Sequence, residues 1–197
     1  KIEAPLGKVL SEAGKTQLRL AESYKYAHVT YFFNAHIEEP FKDEYRVFLP
    51  SVKTPHPDEH PAMMAEAITD RVIQALENRA FDFILVNYAN PDTIAHTGNF
   101  QAALEAIKTI DTQIGRVIKS ILETEAMMII TSDHGNIEEM MNPLTGEPET
   151  QHDPNPVPFY LVVPELRNKR FMNWQSLNSE TIGVLSDVAP TILELMQ

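Results

Sequence analysis

Met127-Met128-Ile129-Ile130-Thr131-Ser132-Asp133-His134-Gly135-Asn136 is the stretch on which the reading of this chain turns. An apolar run of strand length ends in a carboxylate, an imidazole and a glycine. A buried strand that delivers polar groups at its carboxyl end is how an open α/β sheet places chemistry at its rim. Two further stretches can reach the same rim. One is Asn90-Pro91-Asp92-Thr93-Ile94-Ala95-His96, just after the apolar run Phe81–Tyr88; the other is Gln151-His152-Asp153-Pro154. Asp92, His96, Asp133, His134 and His152 are therefore the candidate metal ligands.

The elements around these stretches alternate. Residues 61–79 read as a helix, with Pro61 in its first turn and Met64, Ala67, Ile68, Val72, Ala75 and Leu76 on one face. Phe81–Tyr88 reads as a buried strand, and Phe100–Leu122 as a long helix striped by Leu104, Ile107, Ile110, Ile114, Val117, Ile118 and Ile121, with Gln113 and the charged residues mostly off the stripe. Met127–Thr131 is the next strand. Strand–helix–strand units of this length require parallel pairing, so the expected fold is α/β, a mainly parallel sheet with helices on both faces.

Upstream, the β-branched and aromatic run Ala27–Phe33 predicts a buried strand and Tyr45–Leu49 a second, stopped by Pro50. Residues 1–20 predict a loose helix whose stripe, Val9, Leu10, Ala13, Leu18 and Leu20, is broken by Gly14. Pro55-His56-Pro57-Asp58-Glu59-His60-Pro61 reads as a solvated connector. Downstream, a short helix is expected over Ile137–Met141, a loop over Asn142–Asn155 and an edge strand over Val157–Val163. Residues 164–180 read as irregular, with Trp174 in a packing role. A last helix through Met196 takes Ser186 as N-cap and Pro190 in its early turns.

The 197 residues suffice for one good-sized α/β domain or two very small ones. No run of about 18 apolar residues supplies a membrane span. The N-terminus is not a signal peptide and carries no initiator Met, as expected of a processed chain or part of a longer one. Zero cysteines exclude disulfides and thiolate metal sites, which suits the cytoplasm. A net charge of −12 disfavours nucleic-acid binding. An anionic small substrate would need a local cationic centre, which bound divalent metals provide.

Asp92 and His96 project from the same face if one helical turn joins them, with Asn90 as its cap and Pro91 at its first position. Asp133-His134 reads locally either as a ligand pair, hard and borderline, or as an N-cap with a hydrogen-bonded histidine beside it. Gly135 permits close backbone approach or positive φ. His152 alone reads as a solvated loop residue; it gains weight because the first two motifs leave a third ligand to be found. His28 and His36 read as structural or surface residues.

Four motifs in one order resemble cofactor-independent phosphoglycerate mutase, of the alkaline phosphatase superfamily: Lys25-Tyr26-Ala27-His28-Val29-Thr30; Asn87-Tyr88-Ala89-Asn90-Pro91-Asp92 with His96-Thr97-Gly98-Asn99; Ser132-Asp133-His134-Gly135-Asn136; and Asn155-Pro156-Val157-Pro158. The resemblance covers about Ala21 to Met196. It implies an alkaline-phosphatase-like fold, here incomplete, and interconversion of 3- and 2-phosphoglycerate in glycolysis through a transiently phosphorylated serine and two Mn²⁺ ions. Zn suits the same ligands. It assigns Asp92, His96 and His152 to one metal and Asp133 and His134 to the other, and places Lys25 near the phosphoserine as a catalytic cation.

No counterpart of the family's nucleophilic serine, further Asp ligand or substrate-binding inserted domain is found here. Residues 1–197 are therefore expected to be the C-terminal portion of the phosphatase domain, without mutase activity alone. The whole enzyme is expected to be a monomer, and this portion to self-associate through exposed sheet edge. The ligand set alone also permits another metal-dependent phosphatase, phosphomutase or sulfatase of the superfamily, or a non-catalytic metal-binding module.

Overall fold

The computed structural model describes residues 2–167 and 181–197; Trp174 lies outside them. Helix α1 (Leu6–Glu12) leads through Gly14, at φ +70°, into strand β1 (Gln17–Glu22). Strand β2 (Glu44–Leu49), helix α2 (Ala65–Glu77), strand β3 (Phe83–Asn87), helix α3 (Asn90–Ala95) and helix α4 (Phe100–Thr124) follow. Strands β4 (Met128–Thr131) and β5 (Phe159–Val162) and helix α5 (Val188–Leu195) complete the described elements.

β1 is the central strand of a parallel sheet in the order β2-β1-β3. β4 and β5 form a separate antiparallel pair. The expected α/β class with a mainly parallel sheet stands. Leu18 and Leu20 of β1, with Ile84 and Val86 of β3, pack under α2 and α4 through Ile68, Val72, Val117 and Ile121. Met128 and Val162 join the same cluster, so one helical layer covers both sheets.

The opposite face of β1 is polar yet closed. Arg19 is fully buried between the rings of Phe33 and Phe83, its guanidinium carbon 4.4 and 5.4 Å from their centroids. It donates from Nη2 to Gln17 Oε1 at 2.6 Å, and Gln17 donates from Nε2 to the Gly7 carbonyl at 2.9 Å, which ties α1 to the strand. Burial lowers the Arg19 pKa to about 10, against the partly compensating Glu44 carboxylate. This polar network is why residues 17–22 form a strand where a loose helix was expected. Gln17-Leu18-Arg19-Leu20 alternates with a period of two, but both faces are buried.

Ala27–Phe33 is not a strand. His28–Phe32 forms a π-helical turn after the short 3₁₀ turn Ser23–Lys25. Thr30 Oγ1 donates back to the Tyr26 carbonyl at 2.8 Å, and Tyr31, Phe32 and His36 pack on one another rather than into a sheet. The chain must turn at the carboxyl end of β1, and β1 already fills the strand position.

The α4 stripe holds at Ile110, Val117 and Ile121, which are buried, but shifts in the first turns. Asn99 caps the helix, its Oδ1 accepting from Ala102 N at 3.1 Å. Ala102, Ala103 and Ala106 face the interior in its first turns, while Leu104 and Ile107 are 40% and 42% exposed. Gln113, expected off the stripe, is buried and accepts from Arg116. Small residues are what α3 needs to approach α4 closely, and Ile94 and Ala95 fill that contact.

No helix forms over Ile137–Met141; backbone bridges Gly135–Asp153 and Met141–Pro148 close an irregular hairpin there instead. Ser186 is not an N-cap. Asp187 Oδ2 accepts from Val184 N at 2.9 Å to cap the 3₁₀ turn Leu185–Asp187 that leads into α5.

Ala35 and His36 sit at φ 54° and 67°, in the left-handed region that costs a residue with Cβ about 1 kcal/mol or more. Ala35→Gly should stabilise the protein by about 0.5–1 kcal/mol, read as a higher urea midpoint at unchanged slope. A lower midpoint would show that this conformation carries no strain.

Candidate metal centre

The centre forms where the carboxyl ends of β1, β3 and β4 meet the hairpin after β4. α3 follows β3 directly and places Asp92 in its first turn and His96 at its end, with His96 N donating to the Asp92 carbonyl at 3.2 Å. Both side chains therefore leave one face, as the spacing predicted. Asn90 does not cap the turn: its amide donates to the carbonyls of Pro61 and Ala62 at 2.7 and 2.8 Å and ties α3 to the entry of α2.

His152 arrives from the hairpin. Asp153 N donates to the Gly135 carbonyl at 3.0 Å, which sets His152 beside the chain just after β4. Gly135 leaves room there for two side-chain carboxylates. A Cβ there would overlap the carboxylate oxygens of Asp153 and Glu138, and its φ is not positive.

Three atoms converge. Asp92 Oδ1 lies 3.1 Å from His96 Nε2 and 3.1 Å from His152 Nε2, and the two imidazole nitrogens are 3.2 Å apart. Two ligands about 2.1 Å from one ion, at angles between tetrahedral and octahedral, are about 3.0–3.4 Å apart. The donors thus have the spacing of a single coordination sphere. His96 Nδ1 lies 2.7 Å from the Thr150 carbonyl. A carbonyl can only accept, so Nδ1 carries the proton and the Nε2 lone pair faces the centre. The segment 150–153 therefore supplies one candidate ligand and orients another.

Asp92 is held ionised. Burial would raise its pKa, but hydrogen bonds from Lys25 and Asn136, with the Lys25 charge, outweigh it and bring it to about 2. Lys25, itself buried, places Nζ 2.5 Å from Asp92 Oδ2, and Asn136 Nδ2 lies 2.9 Å from Oδ1.

Asp133 and His134 lie alongside. The His134 ring stacks on His152 at 3.6 Å between centroids and 17° between planes. Asp133 is 59% exposed, 3.5 Å from its neighbour's Nε2. Among the described residues these two join no third ligand; the three-residue group is Asp92, His96 and His152. His56 and His60 are exposed. Asn136 and the Thr150 carbonyl were not singled out from the sequence, and His28 read as a structural or surface residue. Asn136 stood inside the quoted stretch, but its part depends on the distant Asp92.

An α/β fold that gathers a carboxylate and two imidazoles beyond its strand ends has the makings of a metalloenzyme. Residues 1–197 match the metalloenzyme superfamily throughout, and the chain belongs to it. It is 46% identical over 192 residues to a 2,3-bisphosphoglycerate-independent phosphoglycerate mutase of Clostridioides difficile, covering 98% of this chain and 36% of that protein. The same identity over 195 residues relates it to the mutase of that name from Thermomicrobium roseum, covering 99% of this chain and 36% of the relative. A crystal structure of Leishmania mexicana phosphoglycerate mutase at low cobalt concentration aligns with a TM-score of 0.74 and 26% identity, over 79% of this chain and 30% of that one. The chain thus spans 36% of the length of these curated relatives. Among the described residues no helix is long and apolar enough to cross a membrane.

Two outcomes follow from this geometry. Gly135→Ala should weaken Mn²⁺ binding at least about tenfold in calorimetric titration, because displacing Asp153 carries His152 with it; unchanged affinity would detach the hairpin bridge from the centre. In the metal-free protein, ionised Asp92 stabilises the fold above about pH 4. That contribution, roughly 2 kcal/mol, is lost as pH falls towards about 2. Asp92→Asn should therefore be less stable than the parent in urea at pH 7, with the gap narrowing at pH 3; a constant gap would contradict the depressed pKa.

Proposed function

We propose that residues 1–197 are the C-terminal, metal-binding portion of the phosphatase domain of a 2,3-bisphosphoglycerate-independent phosphoglycerate mutase. Such an enzyme interconverts 3- and 2-phosphoglycerate in glycolysis, in the cytoplasm. The observation that carries the reading is the convergence of Asp92, His96 and His152 on one point with Lys25 on the same carboxylate, in a chain so similar to named mutases.

In this reading Asp92, His96 and His152 hold one Mn²⁺, and Asp133 and His134 contribute to a second. The nucleophilic serine, the remaining ligands and the arginines that hold the substrate come from other parts of a relative-length polypeptide. One carboxylate oxygen and two imidazole nitrogens suit Mn, Zn or Co. Held by these residues, divalent ions would supply Lewis-acid polarisation of phosphoryl oxygens and of a serine hydroxyl. The chain's own groups prepare that chemistry. Lys25 and Asn136 fix the Asp92 carboxylate in its ionised form. Thr150 fixes the His96 tautomer. The Lys25 ammonium adds positive charge where phosphoryl charge develops. Among the described residues the outer edges of the β2-β1-β3 sheet are unpaired, which favours self-association of this portion, and light scattering reports it directly.

The chain alone should bind Mn²⁺ and show no turnover of 3-phosphoglycerate, and His96→Ala should lower Mn²⁺ affinity by at least about tenfold. In a polypeptide of relative length containing this chain, isomerisation should exceed phosphate release. Phosphate as the main product would assign a phosphatase instead.

A further inference from the structure

His28 opens the π-helical turn three residues after Lys25. Its Nδ1 is buried without a hydrogen-bond partner, although the residue as a whole is only half-buried. Among the described residues no protein group bonds Nε2 either. Phe32 meets the imidazole edge-on at 5.3 Å and 78°, which holds the ring in place. Lys25, one helical turn before it, reaches Asp92 Oδ2, so the turn that carries His28 adjoins the centre. It lies outside the three-residue group that can share a metal. Burial, and then the Lys25 ammonium, lower its pKa, and the ring is neutral at neutral pH.

A neutral imidazole carries one proton. A buried nitrogen without a partner is less costly as a bare lone pair than as an N–H, since orphaned buried N–H groups are the rarer case. The proton therefore belongs on Nε2, the nitrogen that is not sealed. The 25–28 turn then carries two donors one helical turn apart, the Lys25 ammonium and the His28 Nε2–H. Two donors from one turn beside a cation site match the oxygens of a phosphoryl group, which accept and cannot donate when ionised.

We infer that His28 binds substrate phosphoryl, donating from Nε2 to an oxygen of the group held at the metal centre. The class of ligand rests on the mutase reading. The probe is inorganic phosphate, titrated into the chain loaded with diamagnetic Zn²⁺ and followed by long-range ¹H–¹⁵N spectra of the histidines. The expected result is an Nε2–H tautomer for His28 whose Nε2 resonance moves on phosphate addition. His28→Phe should weaken phosphate binding about tenfold. His28→Gln, which offers an N–H near the same place, should stay within about threefold, with Zn²⁺ affinity alike in all three proteins. The tautomer and the shift are read on the unmutated chain and decide the matter even where a variant misfolds. An Nδ1–H tautomer, or phosphate affinity indifferent to His28→Phe, overturns the inference. A relative-length polypeptide that fails to isomerise phosphoglycerate while its phosphate binding still depends on His28 refutes the mutase reading alone. Isomerisation with His28-independent phosphate binding refutes only the present inference.

Discussion

Asp92 is one carboxylate with four partners. Lys25 occupies Oδ2, while Asn136, His96 and His152 converge on Oδ1. These partners come from the turn after β1, from α3 and from the hairpin after β4. A half-buried carboxylate without the Lys25 ammonium and the Asn136 amide would be neutralised or expelled. With them it stays charged and pins three separate segments to one point. The arrangement at the rim of the sheet depends on this ion being kept in place.

The surrounding packing serves that requirement. α3 carries Asp92 and His96 and approaches α4 closely because Ala102, Ala103 and Ala106 leave no bulk between them. Asn90 fastens the start of α3 to the entry of α2. Gly135 lets the hairpin close, and the same hairpin brings both His152 and the carbonyl that orients His96. On the other side, the buried Arg19 network holds α1 against β1 and so supports the turn that carries Lys25 and His28.

Much of this was legible in the sequence where local rules coincide with the fold. The apolar runs ending in Asp133-His134 and preceding Asp92 read as strands because they are short, apolar and flanked by helical patterns. Asp92 and His96 read as neighbours because a helical turn spaces them so. His152 was weak by itself, since its place is set by the Gly135–Asp153 bridge rather than by its own neighbours. β1 was missed because its polar residues are buried in a hydrogen-bonded network instead of facing water. Ala27–Phe33 was misread because β-branched and aromatic content describes a half-buried surface as well as a strand. Only the first turns of the α4 stripe were misplaced, because close helix contact selects alanines over the larger residues beside them.

The primary metal site proposed for this chain is Asp92, His96 and His152. Anomalous scattering at the manganese edge, from crystals grown with Mn²⁺, tests it most directly. One strong peak is expected within bonding distance of Asp92 Oδ1, His96 Nε2 and His152 Nε2, with Lys25 still on Asp92 Oδ2. A principal peak at Asp133 and His134, with the three-residue group empty, would contradict it.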